Sequence, residues 1–290
     1  MTGSGQLRSG KGSRDENFPV ASWLIKRPHR PAILAFYEFV RVADDIADHA
    51  SLAPAEKLAR LDRLERSLLG EGNDEPEGVR LAAVLKERSL TPRHAQDLLN
   101  AFRLDVTKLR YANWDELIAY CALSAMPVGR FVLDVHGESR VTWTANDALC
   151  AALQIINHLQ DCGADYRNLN RVYIPLDMLG ETGVEALGES QASPALRECL
   201  RALAARTTAL LQQAQGFDQS VADTGLALEV AAIQALAQRL LAILHQRDPL
   251  SEQVHLGKSQ ALATAAGGAA RSLLHRLLGG SARARRYQTP

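Results

Sequence analysis

Residues 152–176 read ALQIINHLQDCGADYRNLNRVYIPL and carry the clearest helical pattern of the chain. Apolar residues recur along it at helical spacing, so it predicts an amphipathic helix followed by an irregular segment at 168–175. On that helix, polar side chains at i, i+3, i+4, i+7 and i+11 form one stripe. They are Gln154, Asn157, His158, Asp161 and Asp165. The stripe faces solvent if this is an ordinary surface helix, and it faces a polar site if the helix lies inside the protein.

A second stretch repeats the aspartate spacing. Residues 36–48 read FYEFVRVADDIAD and place Asp44 and Asp48 four residues apart, as Asp161 and Asp165 are. Residues four apart lie one turn apart on the same helix face. Two carboxylates that close repel each other and are hard to desolvate unless a cation lies between them. Because carboxylate and phosphate oxygens suit Mg²⁺, the two pairs predict a cluster of magnesium ions that grips a diphosphate.

The spacing also predicts what three neighbouring side chains do. Arg41 lies three residues before Asp44, so it shares that face and is expected to touch the phosphate oxygens. Asp45 points about 100° away from Asp44 and is expected to support or cap rather than bind a metal. His158 is expected to pack beside the site rather than to bind a metal.

The composition favours helices along the whole chain. Of the 290 residues, 47% are hydrophobic and only 5% are aromatic, with Ala and Leu dominant. No strand pattern with a period of two appears. The sequence therefore predicts one all-α domain of about eight to ten helices around a central cavity. That domain is expected at 16–260, between a disordered tail at 1–15 and a C-terminal tail at 261–290.

Turn residues and caps predict where the helices begin and end. A single helix is expected from 113 to about 136, and residues 144–146 are expected to cap the helix that carries the second aspartate pair. The other expected helices lie at about 29–50, from Pro54, from 91–92, at 193–215 and at 222–246.

Charge and hydropathy exclude several classes of protein. The chain carries 33 basic and 33 acidic residues and no basic stripe, so a nucleic-acid partner is not expected. It shows no secretory signal and no uninterrupted apolar run of roughly 18 residues, so a cytoplasmic location is expected. The C-terminal tail combines leucines at 273, 274, 277 and 278 with several arginines. It predicts either a peripheral helix on an anionic membrane or a soluble tail.

With these motifs in place, the chain resembles the squalene/phytoene synthase family, the head-to-head prenyl-condensing enzymes, over roughly residues 16–260. Within the family it is most similar to the bacterial hydroxysqualene synthases of hopanoid pathways. The strings that carry the resemblance are ENFPVASWL (16–24), FYEFVRVADDIAD (36–48), FRLDVTKLRYANWDELIAYC (102–121), SAMPVGR (124–130), the opening stretch at 152–176 and DPL (248–250).

The resemblance implies an isoprenoid-synthase-type helical bundle and a role for each matching residue. The metal-binding residues it implies are Asp44, Asp48, Asn157, Asp161 and Asp165. Tyr120 matches a tyrosine with an acid/base role, and Arg41 is implied in catalysis as well as in binding. The residues expected near the substrate or its diphosphate are Asn17, Phe18, Tyr37, Arg41, Gln154, Arg171, Tyr173 and Lys258.

The chain departs from the family pattern at a few positions. Gln160 stands where the family commonly has Arg or Lys, which removes one cationic phosphate partner. The family's Ala-Gly-x-Val-Gly becomes SAMPVG at 124–129, which reshapes a kinked helix along the prenyl cavity. Ala122 and Leu123 are smaller than expected beside Tyr120. These departures suggest altered handling of a carbocation.

The resemblance and the departures together imply a reaction. Presqualene diphosphate is expected to ionise and the rearranged cation to be captured by water, giving hydroxysqualene and diphosphate by carbon–oxygen lyase chemistry. Tyr120 is expected to position or deprotonate that water, and NADPH is not expected as a cofactor. Leaving-group chemistry needs cationic donors, for which Arg41, Arg171 and Lys258 are the candidates. A dry apolar cavity is expected from Phe36, Val128, Phe131 and Leu153.

Other functions stay open at this stage. Within the enzyme class, the alternative is a prenyltransferase that condenses two prenyl diphosphates to presqualene diphosphate, squalene or phytoene. A helical Mg²⁺-dependent nucleotide pyrophosphohydrolase also uses carboxylates at helical spacing. A degenerate family member that serves as the subunit of a partner synthase is the non-enzyme alternative. The expected pathway partners are a second synthase and a flavin-dependent oxidoreductase.

Overall fold

The computed structural model describes residues 24–286, with side chains described up to residue 278. This part of the chain contains α-helices and short 3₁₀ turns but no β-strand, which confirms the all-α fold. The tail at 1–15 and the substrate residues Asn17 and Phe18 lie outside the described residues. The helices are α1 (Arg30–Asp48), α2 (Pro54–Leu69), α3 (Pro76–Glu87), α4 (Arg93–Thr107), α5 (Trp114–Ser124), α6 (Met126–His136), α7 (Trp143–Leu169), α8 (Leu176–Leu179), α9 (Pro194–Gln213), α10 (Phe217–Ser220), α11 (Thr224–Leu244) and α12 (Lys258–Arg286).

The described residues form twelve helices, and ten of them are longer than a single turn, in agreement with the prediction of about eight to ten. The other two, α8 and α10, are single turns in connecting segments. One expected boundary is wrong, because the helix expected at 113–136 divides at Ala125, whose backbone angles (φ −127°, ψ −47°) leave the helical range. Pro127 follows in the first turn of α6, where its missing N–H costs nothing.

The start of α7 also differs from the expectation. The helix begins at Trp143, directly after a 3₁₀ turn at Arg140–Thr142, so the expected cap at 144–146 lies inside the helix. Asn146 is buried there and its amide donates to the Met126 carbonyl oxygen at 3.3 Å. An asparagine that the sequence presents as a cap therefore fixes α6 against α7.

Two hydrophobic clusters hold the bundle together. The smaller one joins α1–α4 with two residues of α6, and its largest side chains include Phe36, Phe39 and Phe131. The larger one is built around α7, which packs against α5, α6, α9 and α11. With 27 residues at about 1.5 Å rise, α7 is about 40 Å long and crosses the whole domain.

A cavity of about 340 Å³ lies where the two clusters meet. Its walls come mainly from α1, α6, α7 and α11 and are largely apolar, as expected. Phe36, Val128 and Leu153 line it, but the expectation for Phe131 is wrong. The Phe131 ring stacks behind Phe36, with 3.9 Å between centroids, and so supports the wall from outside.

Two helical stretches, 114–136 and 224–244, are long and apolar enough to cross a membrane by length and composition. In the structure they supply core residues such as Leu117, Phe131 and Leu240. The first is also interrupted at Ala125. Both stretches are therefore parts of the helical core.

Gly129 tests the close packing of α6 on α7. A Cβ at this position would overlap the Asn146 side chain and come within 2.7 Å of Cys150 Sγ. We expect Gly129→Ala to destabilise the fold by about 1–3 kcal/mol, as overpacking in a core typically does. Thermal unfolding followed by circular dichroism measures the effect.

Gly267→Ala is the matched control. This glycine is also inside a helix, α12, and nothing lies within 4 Å of the added Cβ. Alanine there should leave stability unchanged or raise it by up to about 1 kcal/mol. Equal unfolding temperatures for the two variants would contradict the close helix crossing.

Candidate active site

The two aspartate pairs lie at corresponding ends of α1 and α7. In α1 the cavity residues Tyr37 and Val40 are followed one turn later by Asp44. In α7 the cavity residue Asn157 is followed one turn later by Asp161. Each helix therefore runs along the apolar cavity and then presents two carboxylates.

Arg41 binds both Asp44 of the first pair and the adjacent Asp45. Arg41 donates from Nη1 to Asp44 Oδ2 at 2.7 Å and from Nη2 to Asp45 Oδ1 at 3.3 Å. Asp45 thus holds Arg41 in place, in keeping with a supporting role. Burial, together with the charge of Asp48, raises the pKa of Asp44 to about 7 even though Arg41 opposes the shift.

The charge of the first aspartate pair reaches the second pair, Asp161 and Asp165. Burial, with the charge of Asp161, raises the pKa of Asp165 to about 7, and Asp48 and Asp105 push in the same direction. The charges of Asp48 and Asp105 also raise the pKa of Asp44. Because Asp48 repels both Asp44 and Asp165, the carboxylates of the two helices border one region.

This region fits divalent cations that are completed by the oxygens of a ligand. Among the described side chains, no three His, Cys, Asp or Glu residues already form a closed metal site. The carboxylates instead stand in repelling pairs on two helices, with the amide of Asn157 beside them. Hard cations such as Mg²⁺ are commonly held by one or two carboxylates and a phosphate, so this donor set suits them.

Arg171 ties the end of α1 to the segment after α7. Asn170 ends α7 in the left-handed conformation (φ 53°), and the chain then runs alongside residues 109–111 through a bond from Val172 N to Leu109 O. Arg171 is buried and donates to Asp48 Oδ1 at 2.5 Å, Ala47 O at 3.2 Å and Asp105 O at 3.1 Å. The Arg171 guanidinium therefore holds the Asp48 carboxylate in position.

Asp105 is the centre of a buried tyrosine cluster. Its carboxylate accepts from the Tyr120 hydroxyl at 2.9 and 3.0 Å and from the Tyr173 hydroxyl at 2.8 Å. Burial raises the pKa of Asp105 to about 6, against the opposing charge of Arg171. Burial and the Asp105 charge raise the pKa of Tyr120 well above its usual value. Tyr120 therefore stays a proton donor, and the carboxylate beside it is the group able to accept a proton near neutral pH.

His158 connects this cluster to the cavity. Its ring stacks on Tyr173 with 3.6 Å between centroids and lies 3.2 Å from the amide of Gln154, which lines the cavity. Burial and the charge of Arg171 lower the pKa of His158 to about 3. His158 is therefore a neutral ring packed on Tyr173, and that it does not bind a metal stays a prediction.

Gln160 and Lys258, which the sequence places near the diphosphate, have no contact with the aspartate pairs or the tyrosine cluster among the hydrogen bonds of the described residues. The buried amide of Gln160 donates to Val254 O and lies 3.4 Å from the His255 ring, so it fastens α7 to the segment before α12. Lys258 is exposed at the start of α12, three residues after His255. The structure thus gives Gln160 a tethering role that its position beside Asp161 does not reveal.

Sequence reasoning missed three residues at the site. Asp105 lies in the motif at 102–121. The available signal was an acidic residue on the buried face of an amphipathic helix. Lys57 donates to Ala47 O at 2.8 Å beside Asp48, and only the fold brings it there. Glu229 is a buried acid that lines the cavity, and a lone acid in the apolar stretch of α11 marks it.

Comparison with known proteins adds to this geometry. The family profile described as squalene/phytoene synthase matches residues 12–260. A hydroxysqualene synthase of Rhodopseudomonas palustris is 61% identical over 88% of this chain and 88% of the relative. A hydroxysqualene synthase of Sinorhizobium fredii is 53% identical over 100% of this chain and 99% of the relative. The crystal structure of a squalene synthase from Alicyclobacillus acidocaldarius superposes with a TM-score of 0.69 at 30% identity, covering 81% of this chain and 89% of that one.

The raised pKa of Asp165 has a consequence for the metal-free protein. Between its ordinary value of 3.8 and about 7, the folded protein holds a proton that the unfolded chain has lost. The free energy of unfolding therefore falls as pH rises through this window. We expect Asp165→Asn to flatten that fall, as measured by thermal unfolding with chelator between pH 4 and 8.

Asp74→Asn serves as the control, because Asp74 is exposed in the loop before α3. This variant should follow the unmodified protein at every pH. Parallel curves for the unmodified protein and Asp165→Asn would mean that the carboxylates of the site are not crowded.

Proposed function

Because the chain belongs to the squalene/phytoene synthase family, we propose that it converts presqualene diphosphate and water into hydroxysqualene and diphosphate. The observation that carries this proposal is the relationship to two hydroxysqualene synthases at 61% and 53% identity over most of each chain. The acidic site at the end of an apolar cavity suits a substrate with a diphosphate head and a hydrocarbon tail.

In the first step, the bond between the cyclopropylcarbinyl carbon and the diphosphate oxygen breaks, and the electron pair leaves with the diphosphate. Asp44, Asp48, Asn157, Asp161 and Asp165 would hold Mg²⁺ ions, which neutralise charge on a leaving diphosphate as Lewis acids. Arg41 adds a guanidinium beside Asp44 and Asp45, where it can donate to phosphate oxygens. Arg171 acts through Asp48, which it holds in position.

The carbocation that remains needs protection from premature capture. The cavity supplies apolar walls from α1, α6, α7 and α11, with Phe36, Leu149 and Leu153 among the lining residues. Apolar walls exclude water and leave the ring-opening rearrangement time to occur. The polar groups that line the cavity, among them Gln154 and Asn157, belong to the stripe on α7 and mark where a polar partner can enter.

Water ends the reaction by forming a carbon–oxygen bond and losing a proton. We assign the proton's path to Asp105, with Tyr120 as the donor that orients it. The carboxylate has a pKa of about 6, so it is ionised at neutral pH and able to take a proton. The step is redox-neutral, so its balance requires neither NADPH nor another reductant.

The alternative is head-to-head condensation of two farnesyl diphosphates. The similarity to a solved squalene synthase at 30% identity favours it, and the same acidic site would serve the leaving group. The reactions differ in carbon balance, since condensation joins two chains and water capture joins none.

The proposed reaction also defines its neighbours in a sequence of reactions. A prenyl-condensing enzyme must supply presqualene diphosphate. Replacing the allylic hydroxyl of the product by hydrogen requires a two-electron reductant, so a redox enzyme such as a flavin-dependent oxidoreductase is the expected consumer.

The proposal predicts the fate of isotopically labelled water. Purified protein with Mg²⁺, presqualene diphosphate and H₂¹⁸O, without NADPH, should yield hydroxysqualene carrying one ¹⁸O, detected by mass spectrometry. Farnesyl diphosphate alone should give no C30 product. Presqualene diphosphate or squalene formed from farnesyl diphosphate would support the alternative instead.

Two tyrosine variants test the assigned proton path. Tyr120→Phe removes a donor to Asp105, and we expect water capture to slow by about 10²-fold. Tyr111→Phe is the matched control, because its ring lies 5.2 Å from Tyr120 and its buried hydroxyl has no hydrogen-bond partner among the described residues. Equal rates for the two variants would remove Tyr120 from the mechanism.

A further inference from the structure

We infer that the outer face of α12 is a docking surface for an anionic lipid bilayer. The face is defined by Leu262, Leu273, Leu274, Leu277 and Leu278. It lies outside the active site and faces away from the helix on which α12 packs. Apolar exposure, the charge of the same segment and the packing of its inner side carry the inference.

The leucines of this face are exposed where a soluble helix usually has polar residues. Leu262 and Leu274 have 72% and 54% of their surfaces exposed, and Leu277 has 65%. Leu262, Leu273 and Leu277 recur at spacings of 11 and 4 residues, so they lie on one side of the helix. Alanines at 266 and 270 fill the intervening turns of that side. The result is an apolar stripe several turns long, which marks an interaction surface.

The inner side of α12 explains why the leucines point outward. Gly268 approaches α11 so closely that an added Cβ would lie 2.6 Å from Ala231 O. Ser272 donates to Asp218 Oδ2 at 2.6 Å, and Arg276 donates to Asp218 O and Val221 O at 2.9 Å. Small and polar residues thus form the contact with the bundle, while the large apolar side chains face solvent. This is the reverse of an ordinary amphipathic helix on a protein core.

The positive charge of the C-terminal segment indicates which kind of partner binds this surface. The chain as a whole has 33 basic and 33 acidic residues, yet after Glu252 it has six Lys or Arg and no Asp or Glu. Residues 253–290 therefore carry a formal charge of +6, and residues 1–252 carry −6. Three of the six, Arg283, Arg285 and Arg286, belong to the last turns of α12. Leucines combined with a basic, acid-free segment match the headgroups and acyl boundary of an anionic membrane.

A second copy of the chain fits this surface less well. Two such faces brought together would bury their leucines but would also bring two +6 segments into contact. Like-charge juxtaposition opposes that association. An anionic lipid surface satisfies both the apolar and the charged part of the segment.

Vesicle sedimentation of the full chain tests the inference without substrate, so its outcome is independent of the proposed function. Vesicles of phosphatidylcholine with phosphatidylglycerol should bind the protein, more weakly at high salt, and vesicles of phosphatidylcholine alone should bind it less. The double variant Leu262→Ser/Leu274→Ser should lose at least about tenfold in affinity. The triple variant Arg283→Gln/Arg285→Gln/Arg286→Gln should lose about 100-fold at low salt.

Leu69→Ser/Val79→Ser is the matched control, since these residues are 41% and 40% exposed on α2 and α3 and should not affect binding. Circular dichroism shows whether each variant keeps its fold. Analytical ultracentrifugation detects the competing occupant. A dimer that the α12 leucine variant abolishes, or vesicle binding that this variant and the arginine variant leave intact, would overturn the inference.

Discussion

Repulsion among carboxylates at the shared end of α1 and α7 is the constraint on which the site depends. Asp48 raises the pKa of both Asp44 and Asp165, so neither helix's pair is independent of the other. A fold selected for stability alone would not place four aspartates beside an apolar cavity, since each adds to the cost of desolvation. The divalent cations and diphosphate of the proposed function would remove that cost.

Two cationic side chains, Arg171 and Lys57, stabilise this arrangement at the C-terminal end of α1. Arg171 bridges Asp48 and the backbone of Ala47 and Asp105, and Lys57 donates to the same Ala47 carbonyl at the C-terminal end of α1. Cations at that end are favoured by the helix dipole. Asp105 then links Arg171 to the hydroxyls of Tyr120 and Tyr173. One buried arginine therefore connects the aspartate pair of α1 to the cluster of Asp105 and its two tyrosines.

Helical periodicity was sufficient to predict the all-α fold and the alignment of the polar stripe on α7. Local chemistry was not sufficient to predict the break at Ala125, because residues 124–129 also suit a kinked continuous helix.

Phe131 was misplaced because a single sequence shows the buried face of a helix but not which layer of the core that face occupies. Asp105 and Lys57 were missed because their contacts join different elements, from α4 to the segment after α7 and from α2 to α1. Gln160 illustrates the same limit, since its partner Val254 is 94 residues away.

We propose that the crowded, partly protonated carboxylates of α1 and α7 bind divalent cations. Isothermal calorimetry of Mg²⁺ binding at pH 7 to chelator-stripped protein, in buffers of different ionisation enthalpy, counts the protons released. With Asp44 and Asp165 both at a pKa of about 7, we expect saturable binding with release of on the order of one proton per chain. Binding without proton release, or the same release from an Asp44→Asn/Asp165→Asn variant, would contradict it.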